Sequence, residues 1–152
     1  MRQGTIRAYF ALLGVMATLS LAACGRLINI GGGEASSAFQ ITTNRDAYSR
    51  GNTGEITVRN RSDDRVEYNL CQRRLERRVD RSWITAFEWP TAGGSCTTEA
   101  RPLPSGQSVN TLFEIPTGIP TGTYRIVFTG LLDQEGRPVT GDRAATPLFE
   151  VR

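Results

Sequence analysis

Short runs in which apolar and polar residues alternate strictly, each closed by a cluster of Gly, Pro, Asn or Asp, constrain this 152-residue chain more than any other feature. Alternation with period two puts one set of side chains on one face of an extended segment, so it specifies half-buried β-strands. Ile56 and Val58 alternate with Glu55, Thr57 and Arg59, and Val66, Tyr68 and Leu70 alternate with Glu67 and Asn69. Asn60-Arg61-Ser62-Asp63-Asp64 separates them as a polar turn. Val109, Thr111, Phe113 and Ile115 share one face of a later run, and Tyr124, Ile126 and Phe128 share a face of the next, with Pro116 to Gly122 between. A first strand is expected at Phe39 to Thr43 and a last one at Leu148 to Val151, with Phe149 and Val151 inward. Two further strands in the middle bring the expectation to about seven, an all-β antiparallel sandwich.

The middle admits two readings. Cys71, Leu75 and Val79 are spaced by four, which also fits one face of a helix, but the opposite face would be almost all Arg. A hairpin pairing Leu75 to Val79 with Trp83 to Phe87, across a turn at Asp80, Arg81 and Ser82, suits the surrounding strands better.

The first residues follow another logic. Arg2 and Arg7 form a positive start, and Tyr9 to Ala22 is uncharged and apolar, too short for the roughly 20 residues that cross a bilayer core. This predicts a cleaved export signal over residues 1–23. Leu21-Ala22-Ala23-Cys24 resembles the lipobox of bacterial lipoproteins at all four positions. The resemblance implies cleavage before Cys24, a lipid on its thiol, and stable anchoring by two or three acyl chains. Gly25, not being Asp, implies outer-membrane sorting in a cell with two membranes. Residues 24–37, with Gly31-Gly32-Gly33 and Ser36-Ser37, read as a lipidated flexible tether, and residues 38–152 as the folded domain. The glycine run lacks the preceding strand, following helix and Lys of a phosphate cradle. The formal net charge is +3, from 18 basic and 15 acidic residues. Removing Arg2 and Arg7 with the signal leaves 16 basic residues, so a nucleic-acid partner is not expected.

Asn60-x-Ser62, Tyr68-Asn69-Leu70-Cys71, Leu75-Glu76-Arg77 with Trp83, and Gly122-Thr123-Tyr124-Arg125 resemble bacterial immunoglobulin-like domains over residues 38 to 152. The resemblance implies an immunoglobulin-like sandwich and speaks to fold rather than activity. Tyr124, two residues after a Gly, resembles the tyrosine corner of such domains; an ordinary core tyrosine is the alternative. The Asn60-x-Ser62 turn, the Gly106 to Phe113 run and Gly122-x-Tyr124 also resemble a bacterial proteinase-inhibitor β-sandwich family, which implies an inhibitor as the alternative function.

With Cys24 lipidated, Cys71 and Cys96 remain, and an oxidising compartment pairs them as a local staple. The chain contains no His, so Ser-His and Cys-His nucleophiles are excluded and no zinc shell is completed. Asp63-Asp64, Asp133-Gln134-Glu135 and Asp142 sit in turn-like sequence, and the spacing of Asp133, Glu135 and Asp142 matches no calcium loop. No enzyme, metal or cofactor is expected beyond the covalent lipid. Arg73, Arg74, Arg77, Arg78 and Arg81 form the one dense charge cluster, either an anion-binding or protein-binding face, or a solvated hairpin face balanced by Glu76, Asp80 and Glu88. Trp83 is expected in the core, and Trp89 in a loop or as an interface anchor. The expectation is a non-enzymatic, membrane-anchored envelope lipoprotein whose domain binds another envelope protein or supports an assembly.

Overall fold

The structure, a computed structural model, describes residues 38–90 and 95–152; the expected signal over 1–23, Cys24 and the expected tether over 24–37 lie outside the described residues. Nine strands are found among them: β1 (Phe39–Thr43), β2 (Ala47–Tyr48), β3 (Thr53–Asn60), β4 (Val66–Val79), β5 (Ser82–Trp89), β6 (Arg101–Leu103), β7 (Ser108–Glu114), β8 (Gly122–Leu132) and β9 (Phe149–Val151). They form a three-stranded sheet, β1-β3-β7, and a six-stranded sheet, β2-β9-β8-β4-β5, with β6 also paired to β4. The chain folds as an immunoglobulin-like β-sandwich, with two short strands, β2 and β6, that periodicity did not signal. All ladders are antiparallel except that of β2 with β9.

The alternating sets form the core as expected. Ile56, Val58, Phe113 and Ile115 from one sheet face Val66, Leu75, Tyr124, Ile126, Phe128, Phe149 and Val151 from the other, all buried. The buried hydrophobic cluster comes from residues 39–151. Tyr48 stacks edge-on against Phe113 and Phe149, and Gly54 leaves room for them, since a Cβ there would lie 2.4 Å from the Phe113 ring.

The helix alternative for the middle is absent: β4 is one strand of 14 residues. Its register against β8 shifts between Asn69 and Arg73. Leu70 and Leu75 both point inward five residues apart, because an irregularity in that interval changes the phase of the pleat. The helical spacing of Cys71, Leu75 and Val79 arises because Arg73 and Arg77 occupy the alternate positions of the same face, leaving an apolar residue at every fourth place. The turn to β5 is Asp80-Arg81, with Ser82 already in the strand and Asp80 in the left-handed region at φ 53°. A second shift opposite Leu75/Glu76 leaves Ala86 unmatched on β5.

β5 and β6 lie end to end along one edge of β4, β6 against Val66 to Tyr68 and β5 against Arg73 to Val79. The Cys71–Cys96 disulfide sits at the junction, with Cα atoms 5.6 Å apart. Asn69 reinforces it: its side-chain amide donates to the carbonyls of Thr97 (2.6 Å) and Glu99 (3.2 Å), and its oxygen accepts the Cys71 N–H. Asn60 is fully buried and satisfies every polar valence of its amide, donating to the Asp64 and Leu103 carbonyls and accepting from the Ser62 N–H and hydroxyl. Tyr124 makes the tyrosine-corner contact, its hydroxyl donating to the Pro120 carbonyl at 2.6 Å. β1 begins at the end of the sandwich that holds Asn60, while the β4–β5 turn lies at the other end, with Gly122 and Val151.

Candidate interaction surfaces

The arginine cluster does not form one face. Register fixes the direction of each side chain, because cross-strand partners point to the same side. Arg73 pairs with Phe128 and Arg77 with Tyr124, so both point inward; Arg74 and Arg78 point outward, and Arg81 lies in the turn. The five arginines of residues 73–81 are thus divided between two surfaces by the pleat.

Inward, Arg73 joins the sheets. Its guanidinium donates to the Leu70 carbonyl (3.2 Å), the Thr111 hydroxyl (2.9 Å) and the Leu112 carbonyl (2.6 Å) on β7, and it stands 5.3 Å from the Trp89 ring centroid. Burial pulls its pKa below the ordinary arginine value. Arg77 donates to the Thr121 carbonyl at 3.1 Å. The buried Nε atoms of both have no acceptor.

Since Arg73 places β7 across from β4, the next strand, β5, has no strand facing it. The inner side chains of β5 therefore border a groove of about 650 Å³, lined by Ala86, Phe87 and Trp89 on one side and Glu114, Pro116 and Ile119 on the other. Ile84, on the same side of β5, is 48% exposed, and Leu112 on β7 is 65% exposed. β5 pairs only with β4, and β7 only with β3, so each presents an unpaired strand edge. Trp89 is thus not in a loop. It ends β5, packs against the core and meets Phe87 edge-on at 5.0 Å.

Outward, Trp83 is not in the core: it covers the outer face of β4. The Arg125 guanidinium lies 4.2 Å from its ring centroid. Glu76 is buried beneath, accepting from Arg74 Nε at 2.6 Å and Arg125 Nε at 2.8 Å, and Arg125 also pairs with Asp142. A pocket of about 350 Å³ opens beside this network, walled by Arg78, Arg81, Trp83, Arg125, Pro147 and Leu148. Arg78 and Arg81 are exposed, and their guanidinium groups hold no hydrogen bond or ion pair among the described residues. Arg125 was not foreseen as a site residue, because its link to Glu76 depends on the β4–β8 register.

The loop carboxylates are committed elsewhere. Asp133 and Glu135 both engage Arg137, and Asp142 engages Arg125. Slight burial opposes ionisation of Asp133, but hydrogen bonds from the Arg137 N–H and guanidinium outweigh it and hold the carboxyl below its ordinary value. Among the described residues no helix is long and apolar enough to cross a membrane.

No protein-family model and no curated protein matches the sequence. Solved structures give distant likenesses. The sporulation control protein Spo0M of Bacillus subtilis aligns at 15% identity and TM-score 0.41, over 75% of this chain and 49% of that one. The alkylpurine DNA glycosylase AlkC of Pseudomonas fluorescens aligns at 12% identity and TM-score 0.40, over 78% and 31%. A PapD-like domain of human CEP192 aligns at 16% identity and TM-score 0.30, over 80% and 89%. This chain spans less than half the length of the first two proteins, and likenesses at this level carry no assignment of activity.

Proposed function

We propose that this chain is a non-enzymatic, membrane-anchored envelope lipoprotein: Cys24 carries the lipid, residues 24–37 tether the domain, and the β-sandwich docks an envelope protein in the groove between β5 and the β7–β8 connection. The groove is the observation that carries the docking reading. Its volume is that of a formed binding cleft, its walls are aromatic and aliphatic, and it lies between two unpaired strand edges. Trp89 is the expected anchor, since aromatic side chains in desolvated pockets dominate binding energy.

Two measurements test the two halves separately. Intact mass and membrane fractionation report the anchor: Cys24→Ala is expected to lose the lipid and leave the membrane fraction, and a lipidated, membrane-bound Cys24→Ala protein overturns it. A photoreactive residue in place of exposed Thr117, at the rim of the groove, reports docking. Cross-linking in intact cells is expected to capture one envelope protein, and Trp89→Ala to abolish that capture while the domain stays folded. The same product from a probe at exposed Gln40, on the far strand of the other sheet, defeats the groove.

A further inference from the structure

We propose that the pocket beside Trp83 binds a phosphate group carried on a small organic body, a phosphomonoester or phosphodiester. This site is independent of the β5–β7 groove: it lies on the outer face of the six-stranded sheet and shares no lining residue with it.

Three features carry the inference. The first is charge. Arg78, Arg81 and Arg125 line the pocket, Asp142 is the one acid among the lining residues, and Arg125 already holds it. Arg78 and Arg81 therefore supply two uncommitted guanidinium groups at one opening. A carboxylate is satisfied by a single bidentate guanidinium, whereas the terminal oxygens of a phosphate, three in a monoester and two in a diester, are set tetrahedrally and can be shared between two.

The second is rigidity. Glu76, buried under Trp83, fixes Arg74 and Arg125 through hydrogen bonds of 2.6 and 2.8 Å, and Arg125 fixes the indole ring by lying 4.2 Å from its centroid. Thr146 adds a second brace by accepting the Ile126 N–H at its hydroxyl. The floor is set before any ligand arrives, which lowers the ordering cost of binding.

The third is the wall. Pro147 and Leu148 border the same opening, and Leu148 is 47% exposed although it is a large apolar residue. A polyol or glycerol body attached to the phosphate would cover it. The volume, about 350 Å³, suits a ligand of that size.

The phosphate can come from a soluble ester or a lipid headgroup, and one experiment separates the sources. The chain from residue 24 onward, with Cys24→Ser so that no lipid is attached, is titrated with glycerol phosphate and followed by proton–nitrogen correlation spectra. Its two tryptophans report one site each. A saturable shift of the Trp83 indole signal is expected, with the Trp89 signal still. Arg78→Gln with Arg81→Gln is expected to weaken binding about tenfold or more, the loss of charge-assisted hydrogen bonds, while leaving the unliganded spectrum that of the folded domain. No saturable shift at Trp83, an equal shift at Trp89, or unchanged affinity in the double variant each overturns the proposal. With glycerol phosphate binding established, vesicles of phosphatidylglycerol in phosphatidylcholine assign the source. Retention of the parent protein but not the double variant supports a lipid headgroup, and retention of neither supports a soluble ester.

Discussion

Three side chains show how single residues decide this fold. Asn60 is buried with all its amide hydrogen bonds made, so it holds the β3–β4 turn to β6 from inside. Replacing it by Ala strands the Leu103 carbonyl and the Ser62 N–H, and a loss of about 2–4 kcal/mol is expected in urea unfolding. Tyr124→Phe removes one hydrogen bond to the Pro120 carbonyl and is expected to cost about 1 kcal/mol in the same assay. Burial raises the Tyr124 pKa, with Arg77 and Arg50 opposing, and burial likewise raises that of Tyr48. A raised tyrosine pKa means the folded state favours the neutral phenol. The stability it contributes is complete below the unfolded value near 10.0 and is lost as pH rises beyond it toward the folded value. Unfolding midpoints measured from pH 9 upward should fall through that window, and fall less steeply in Tyr124→Phe, as expected for a folded-state tyrosine pKa above about 10.

At the level of elements, β4 shows what periodicity reveals and what it hides. Stretches with an unbroken pleat were legible: β1 lies at Phe39–Thr43 as expected, and the inward sets of β3, β7 and the first part of β8, from Tyr124 to Phe128, are those that alternation selects. β4 was ambiguous because Arg73 and Arg77 take alternate inward positions, so its apolar residues recur every four, and the phase change between Leu70 and Leu75 has no residue signature of its own. Arg73 and Arg77 looked solvated because an arginine run says nothing of which members a pleat turns inward. Arg125 escaped notice because its partner Glu76 is 49 residues away. The irregularity also sets a steric demand. Gly130 faces it, and a Cβ at that position would lie 2.5 Å from the Asn69 carbonyl oxygen, so the neighbouring backbone would have to move. Gly130→Ala is expected to lower stability by about 1–3 kcal/mol, the range for overpacking, and to speed amide exchange along the β4–β8 ladder. Opening the disulfide by Cys71→Ser with Cys96→Ser releases a closure of 25 residues, and a loss of about 3 kcal/mol is expected from thermal unfolding.

The whole molecule pairs a narrow sheet with a wide one. Three strands cannot cover the strands opposite them, and the groove is the uncovered remainder of β5. A lone sandwich whose edge strands β1, β7, β2 and β5 each pair on one side alone risks pairing with its own copies. Arg73 offsets part of that risk by capping the Leu112 carbonyl on β7. Arg73→Lys, which cannot hold Leu70, Thr111 and Leu112 together with one planar fork, is expected to lower the concentration at which the protein self-associates in sedimentation velocity. The direction of β1 has a further, mechanical consequence. It leads from residues 24–37 into the sandwich at the Asn60 end, whereas the Arg81 turn and Val151 stand at the opposite end. A pull applied ahead of Ala38 and resisted at that far end runs along β1, loading its five residue pairs with β3 in shear. The hydrogen bonds of that ladder must then yield together instead of unzipping one by one, so tension applied ahead of Ala38 would meet the first strand in its most resistant geometry.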